Sequence, residues 1–295
     1  MSANPSKRLR AVSIAPRARL WLEQTHQAHI LYVFERVINV VNQEGDVLAL
    51  ANHHIGPGPF SLVLEENRFP DDVDADASLL VFENGFWLGE WLIDAVSAEL
   101  WHPTPNWGAA QAQWGDFTEV AVSLAGLLRE YAPLDSFARL LLDPLATSTL
   151  PSRILQVAEQ NIPLLFSGIS GANLAAISTA AKSLAGMGPG LTPAGDDLLL
   201  GAMHGLWATR PEAAAFSATI AAAAAPRTHA LSAAWLTAAA AGEAAAPWHD
   251  LVTALARQDR RALQAAALRI LPTGHTSGAD SLAGFLGVLQ NISNE

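Results

Sequence analysis

Residues 186–201 read GMGPGLTPAGDDLLLG, and the reading of the C-terminal half of the chain turns on them. Gly186, Gly188 and Gly190 precede Thr192-Pro193, and Asp196-Asp197 leads directly into Leu198, Leu199 and Leu200. Threonine is a good helix N-cap and proline is favoured at the first helical position, so a helix is predicted to begin at Thr192-Pro193. Both aspartates then fall in or just after the first turn, where the positive end of the helix dipole stabilises a carboxylate. The glycines can leave several backbone N–H groups free to meet a ligand. One carboxylate would satisfy such a helix start. Two adjacent ones, in a chain with only 15% charged residues, ask for a second explanation.

A second stretch, GHTSGADSLAGFLGVL at 274–289, supplies one. Gly190-x-Thr192-x-x-x-Asp196-x-Leu198 aligns with Gly274-x-Thr276-x-x-x-Asp280-x-Leu282, as expected of an internal duplication or of two helices meeting about a local pseudo-dyad. Gly201 and Gly205 on one helix, with Gly284 and Gly287 on the other, would let the two axes approach closely. Two helix starts facing one crevice make a site of dual character. Free N–H groups and the hydroxyls of Thr192 and Thr276 favour phosphate or carboxylate, whereas Asp196, Asp197 and Asp280 favour a cation, an amide N–H₂ or a bound Mg²⁺. No cofactor is required, with Mg²⁺ admissible. A further polar knot, Arg227, Thr228, His229 and Ser232, stands at another helix start, and an arginine there can clamp a carboxylate or phosphate in bidentate fashion.

The 295 residues, 51% of them apolar, belong to a folded protein of one large or two ordinary domains. The absence of cysteine excludes disulfides, thiolate metal sites and a cysteine nucleophile. A net charge of −11 argues against a nucleic-acid partner, and no stretch is long and apolar enough to span a membrane or to serve as a signal peptide, so a cytoplasmic location is expected. Basic residues from Lys7 to Arg19 precede the first acidic one, Glu23, and residues 1–19 are expected as a basic N-terminal arm. From His29 the alphabet is β-branched and aromatic. HILYVFERVINVV reads as a strand joined through Asn42–Asp46 to Val47–Leu50, GPGPFSLVLEE offers another, and SLLVFENGFWLGEWLI two more around Asn84-Gly85. A mainly β domain, a small barrel or sandwich, is placed at 20–112. The segments FTEVAVSLAGLLREY, SFARLLLDPLA, PSRILQVAEQN and NLAAISTAAKSLAG carry apolar residues three and four apart, so 113–295 is expected to be helical, including an alanine-rich stretch that Pro226, Gly242 and Pro247 divide. The fold class is therefore α+β.

The string Gly188 to Asp197, GPGLTPAGDD, resembles the G-x-G-L-T-P-x-G-D-D signature of a bacterial family long catalogued as of unknown function, whose best-described branch is AllH, a subunit of the oxamate carbamoyltransferase of allantoin degradation. The stretches Arg227–Ser232 and Gly274–Gly284 look like later blocks of that family. The resemblance implies reversible carbamoyl transfer between carbamoyl phosphate and oxamate, in purine catabolism, alongside larger partner subunits. It assigns no catalytic residue. Carbamoyl transfer needs donors around the phosphate and developing oxyanion and an acceptor for the amine proton. Binding would fall to the backbone at Gly188 and Gly190 and to Thr192, Arg227, Thr228, His275 and Thr276, and proton transfer to Asp196, Asp197 or Asp280, with His229 or His275 as shuttle. The alternative is a non-catalytic subunit that binds a small carboxylate and buries apolar surface against a partner or a second copy. Nine tryptophans, including Trp87, Trp91, Trp101, Trp107 and Trp114, accord with such an interface. No metal site is expected: His26, His29, His53 and His54 form no H-E-x-x-H pattern, and His204 reads as a core histidine.

Overall fold

A computed structural model describes residues 7–70, 73, 75–112, 117–142 and 149–292. The chain divides into two compact units between Pro103 and Thr104, ahead of the boundary at 112 that composition indicates.

In the first unit, β1 (Arg8–Ile14), α1 (Pro16–Gln24), β2 (Ala28–Val33), β3 (Val37–Asn42), β4 (Val47–Ala51), β5 (Ser61–Leu64), β6 (Leu79–Phe82), β7 (Gly85–Leu88), β8 (Trp91–Asp94) and β9 (Glu99–Leu100) follow one another. They form one sheet in the order β2-β3-β4-β5-β1-β8-β7-β6, with β9 beside β1, curled into a nearly closed barrel. The basic residues expected in an N-terminal arm lie largely in β1 and α1, and residues 1–6 fall outside the description. In RLRAVSI, Leu9 and Ala11 turn inward while Arg8 and Arg10 stay exposed, the alternation of a half-buried strand. Arg8 pairs with Asp94 across the β1–β8 parallel register. The arginines are the solvent-facing positions of a strand with a period of two, not an arm. Likewise, HILYVFERVINVV is two strands, because the chain turns at Glu35-Arg36 and Phe34 N–H donates to the Val37 carbonyl at 2.9 Å. The Asn42 side chain closes the following turn by accepting the N–H groups of Glu44 and Asp46 at 3.1 and 2.8 Å. Leu9, Trp21, Ile38, Leu48, Leu62, Phe86 and Ile93 share the core.

The second unit is helical: α2 (Trp107–Ala112), α3 (Thr118–Tyr131), α4 (Phe137–Leu142), α5 (Ser152–Ser170), α6 (Leu174–Leu184), α7 (Ala194–Thr209), α8 (Ala213–Ala224), a 3-10 turn (Ala225–Arg227), α9 (Ala230–Ala240), α10 (Ala246–Ala256), α11 (Arg260–Ile270) and α12 (Ser277–Ile292). The expected helix SFARLLLDPLA is described only to Leu142, and Trp114 lies outside the description. Trp107 is buried, and Trp87, Trp91 and Trp101 are half-buried.

The axis of this unit is the pair α7 and α12. The first is buried along almost its whole length, which is why its sequence is apolar on every side. One cluster packs α7 with α5, α6, α8 and α9, and another packs α12 with α2, α3, α10 and α11. Between the two axes no side chain intervenes at Gly201 and Gly284: a Cβ at Gly201 would overlap the Ser281 carbonyl, and one at Gly284 the Leu198 carbonyl. At Gly205 a Cβ would lie 2.8 Å from Val288 Cβ. Gly287 differs from expectation, since it clears the Phe166 ring of α5 and not α7. Because 198 meets 284 and 205 meets 288, the two helices run in the same direction. Their N-termini therefore lie side by side.

His204 on α7 is buried between Trp107 and Trp248, with ring centroids 5.7 and 4.5 Å away, and burial pushes its pKa down to about 4. It is a core histidine.

Gly201→Ala should cost about 3 kcal/mol, because the added methyl meets backbone that cannot rotate away. Gly126→Ala, on α3 with open space at its Cβ position, should gain up to about 1 kcal/mol from helix propensity. Urea denaturation of both variants checks the contact, and equal small effects would contradict it.

Candidate functional site

Between α6 and α7 the chain passes through three glycines with positive φ: Gly186 (+70°), Gly188 (+126°) and Gly190 (+95°). A side chain is excluded twice over at Gly188, where a Cβ would sit 2.7 Å from the Ala194 nitrogen. Gly190 by contrast has open space around it. Pro193, not Thr192, occupies the N-cap position of α7, and its carbonyl accepts the N–H groups of Asp196 and Asp197 at 2.9 and 3.1 Å. Thr192 is thereby released from capping. Its hydroxyl instead meets that of Ser277, the first residue of α12, at 2.8 Å. This contact ties the two repeated helix starts to one another. At the second start, Thr276 accepts the Asp280 N–H on its carbonyl at 2.9 Å and donates its hydroxyl to the Asp280 carboxylate.

The three aspartates hold different posts. Asp196 is a lock: its carboxylate accepts the Gly186 N–H at 2.9 Å and the hydroxyls of Thr228 and Ser232, joining the glycine loop to the start of α9. Burial raises its pKa, and these bonds with the nearby His229 oppose the rise. Asp197 points toward α12, accepts the hydroxyls of Ser277 and Thr192, and keeps Oδ2 buried without a partner. Burial first, then the charges of Asp280 and Asp196, push its pKa well above the usual carboxylate range. Asp280 caps α4 by accepting the Phe137 N–H at 2.6 Å, and it too leaves Oδ2 buried and unpartnered. Burial pushes its pKa up to about 7, against the hydrogen bonds from Thr276, Phe137 and Ala138.

The remaining candidates lie outside this buried pair. Arg227 and His229 are exposed, and the Arg227 guanidinium donates to the Ala223 carbonyl at 3.2 Å. The Arg227 backbone nevertheless lies against the glycine loop, its carbonyl 3.0 Å from where a Gly186 Cβ would be. His275 is exposed, with Nε2 3.1 Å from an oxygen of Asp135. The structure thus assembles two neighbouring groups: Asp196 with Thr228, Ser232 and His229, and Asp197 with Thr192, Ser277 and Asp280. Ser277 and Asp135 were not legible as site residues. The only signal for Ser277 was its alignment with Pro193 in the repeat. Among the described residues no three or more His, Asp or Glu side chains converge as a metal cluster.

The family model described as oxamate carbamoyltransferase subunit AllH matches residues 184–289, a span that holds both helix starts, and the model for the AllH family N-terminal domain matches residues 10–100. The chain belongs to the AllH family. No curated protein matches it, and no solved structure does. The AllH N-terminal match runs from within β1 to the end of β9, and the AllH match runs from the end of α6 into α12. No described helix is long and apolar enough to cross a membrane.

The elevated Asp280 and the depressed His204 make opposing contributions to stability. A carboxyl whose folded pKa is raised from 3.8 to about 7 stabilises the fold below 3.8 and loses that stability as pH rises toward 7. A histidine depressed from 6.5 to about 4 stabilises above 6.5 and loses it as pH falls toward 4. Each amounts to about 2 kcal/mol between pH 5 and 7. Asp280→Asn should remove the first alone, so its stability should rise from pH 5 to pH 7 relative to wild type. Urea midpoints that move in parallel for both proteins would contradict this assignment.

Proposed function

We propose that the chain is a subunit of a carbamoyltransferase-type enzyme, acting on oxamate and carbamoyl phosphate, or oxalurate and phosphate in reverse, and that it binds a small anion bearing an amide at the joined starts of α7 and α12. The observation that carries this reading is the Thr192–Ser277 contact, which brings the glycine loop and the carboxylates Asp197 and Asp280 to one place. The name of the AllH family supports the reaction and implies partner subunits. Helix N-termini and glycine N–H groups suit phosphate or carboxylate, and Gly188, Gly190, Thr192 and Thr276 supply both kinds of donor. When the oxamate nitrogen attacks the carbamoyl carbon, the new C–N bond replaces the bond to phosphate and the nitrogen sheds a proton. A carboxylate whose pKa lies near neutrality accepts such a proton better than an ordinary one. Asp280, pushed up to about 7 by burial, has that property, and burial raises Asp197 in the same direction. Arg227, Thr228, His229 and His275 stand at the edges, where a substrate or a partner subunit would reach them.

A second reading has an observation of its own. All three aspartates are buried, Asp280 at 0% and Asp197 at 8% exposure, which suits a non-catalytic subunit that binds a ligand and assembles with a partner or a second copy. One assay separates the two: phosphate release and oxalurate formation from carbamoyl phosphate and oxamate, with and without co-expressed partner subunits, beside calorimetry of each compound. We expect turnover in the complex and a fall of about a hundredfold in Asp197→Asn. Binding without turnover in any complex selects the non-catalytic reading. Neither binding nor turnover sinks both.

A further inference from the structure

Hydrogen bonding leaves the charge of Asp197 and Asp280 unresolved. Each carboxylate has one oxygen satisfied by hydroxyl or amide donors and a second, Oδ2, sealed from solvent with no partner. The strongest charges acting on the pair are themselves acidic: Asp196 from α7 and Asp135 from the turn before α4. His229 acts on Asp196, and His275 is engaged with Asp135 at the surface. Unpaired buried carboxylates are costly, and folded proteins seldom keep them without an ion or ordered partner. The surrounding donors are all oxygen, from Asp197, Asp280, Thr192, Ser277 and Thr276, with no histidine or thiol among them. Such a set selects hard cations over zinc or copper.

From this geometry we infer that the Asp197–Asp280 pair holds a divalent cation of the Mg²⁺ class, bound by one oxygen of each aspartate. Two carboxylates carry the charge that one divalent ion neutralises. They are also the complement that Mg²⁺ usually takes from a protein while keeping water or a phosphate oxygen in its other positions. Three clustered acidic or histidine ligands are not needed for that arrangement. The inference rests on the proposed function only for the ion's task, drawing a phosphate oxygen toward the site, and not for its binding; with the ion in place the two carboxylates act as its ligands and the amine proton leaves through His229 or His275.

Binding is tested on the full chain without substrate. Mg²⁺ at millimolar concentration should raise the thermal midpoint, where K⁺ at equal ionic strength does not. Calorimetry with Mg²⁺ should give a saturable heat with one ion bound per chain. Asp197→Asn and Asp280→Asn should each abolish the shift, and Asp250→Asn, which alters an exposed pair with Arg269, should retain it. Should either variant fail to fold, Mn²⁺ paramagnetic resonance on the wild-type chain decides the matter: one bound Mn²⁺ per chain, displaced by Mg²⁺, supports the site. No heat and no midpoint shift with Mg²⁺, Mn²⁺ or Ca²⁺, an undiminished shift in both variants, or an equal response to K⁺ would overturn it. Carbamoyl transfer that proceeds with no divalent binding removes the ion and leaves the function. Divalent binding without ligand binding or transfer does the reverse.

Discussion

Where α7 passes α12, the two backbones meet through Gly201 and Gly284 with no side chain between them, and the helices run in the same direction. Parallel neighbours are electrostatically awkward, because both positive dipole ends come together. They also need a long return path, and α8 to α11 supply it. Asp196 and Asp197 in the first turn of α7, with Asp280 in that of α12, sit where two positive ends coincide. The carboxylates and the close crossing belong to one arrangement: the glycines permit the approach, and the approach creates a field in which buried acids are tolerable.

That field does not act equally on the three acids. Asp196 spends its carboxylate on the Gly186 amide and on the hydroxyls of Thr228 and Ser232, so it holds the loop in shape. Asp197 and Asp280 spend half of theirs and leave the other half buried and unmatched. Two adjacent aspartates therefore have distinct reasons to be there. The first fastens the glycine loop, and the second faces its counterpart from the repeated helix start.

Much of this was legible beforehand because it rests on local rules. The repeat of glycine, threonine, aspartate and leucine announces two like helix starts, and the spacing of Gly201, Gly205, Gly284 and Gly287 announces a close contact, which holds for the first three while Gly287 faces Phe166. The strands around Asn84-Gly85 followed from turn chemistry. Where two local signals compete, tertiary pairing decides between them. Arg8 and Arg10 spoke for a solvated arm, while Leu9 and Ala11 spoke for a strand, and pairing with β5 and β8 decided for the strand. Thr192 satisfied the rule for an N-cap, but the helix took Pro193 and left the hydroxyl for Ser277.

By itself, the sequence determined the α+β division, the helix starts, the glycine loop and the identity of the polar groups near them, because each depends on residues a few positions apart. Tertiary structure alone decided which groups share a space. Ser277 reaches Thr192, Asp280 caps the helix at Phe137, and Asp196 reaches Thr228, and these pairs are separated by long stretches of chain. Periodicity and capping preferences carry no information about such partners. Nor do they fix protonation, which for Asp197 and Asp280 follows from burial and from the neighbouring charges that folding brings against them.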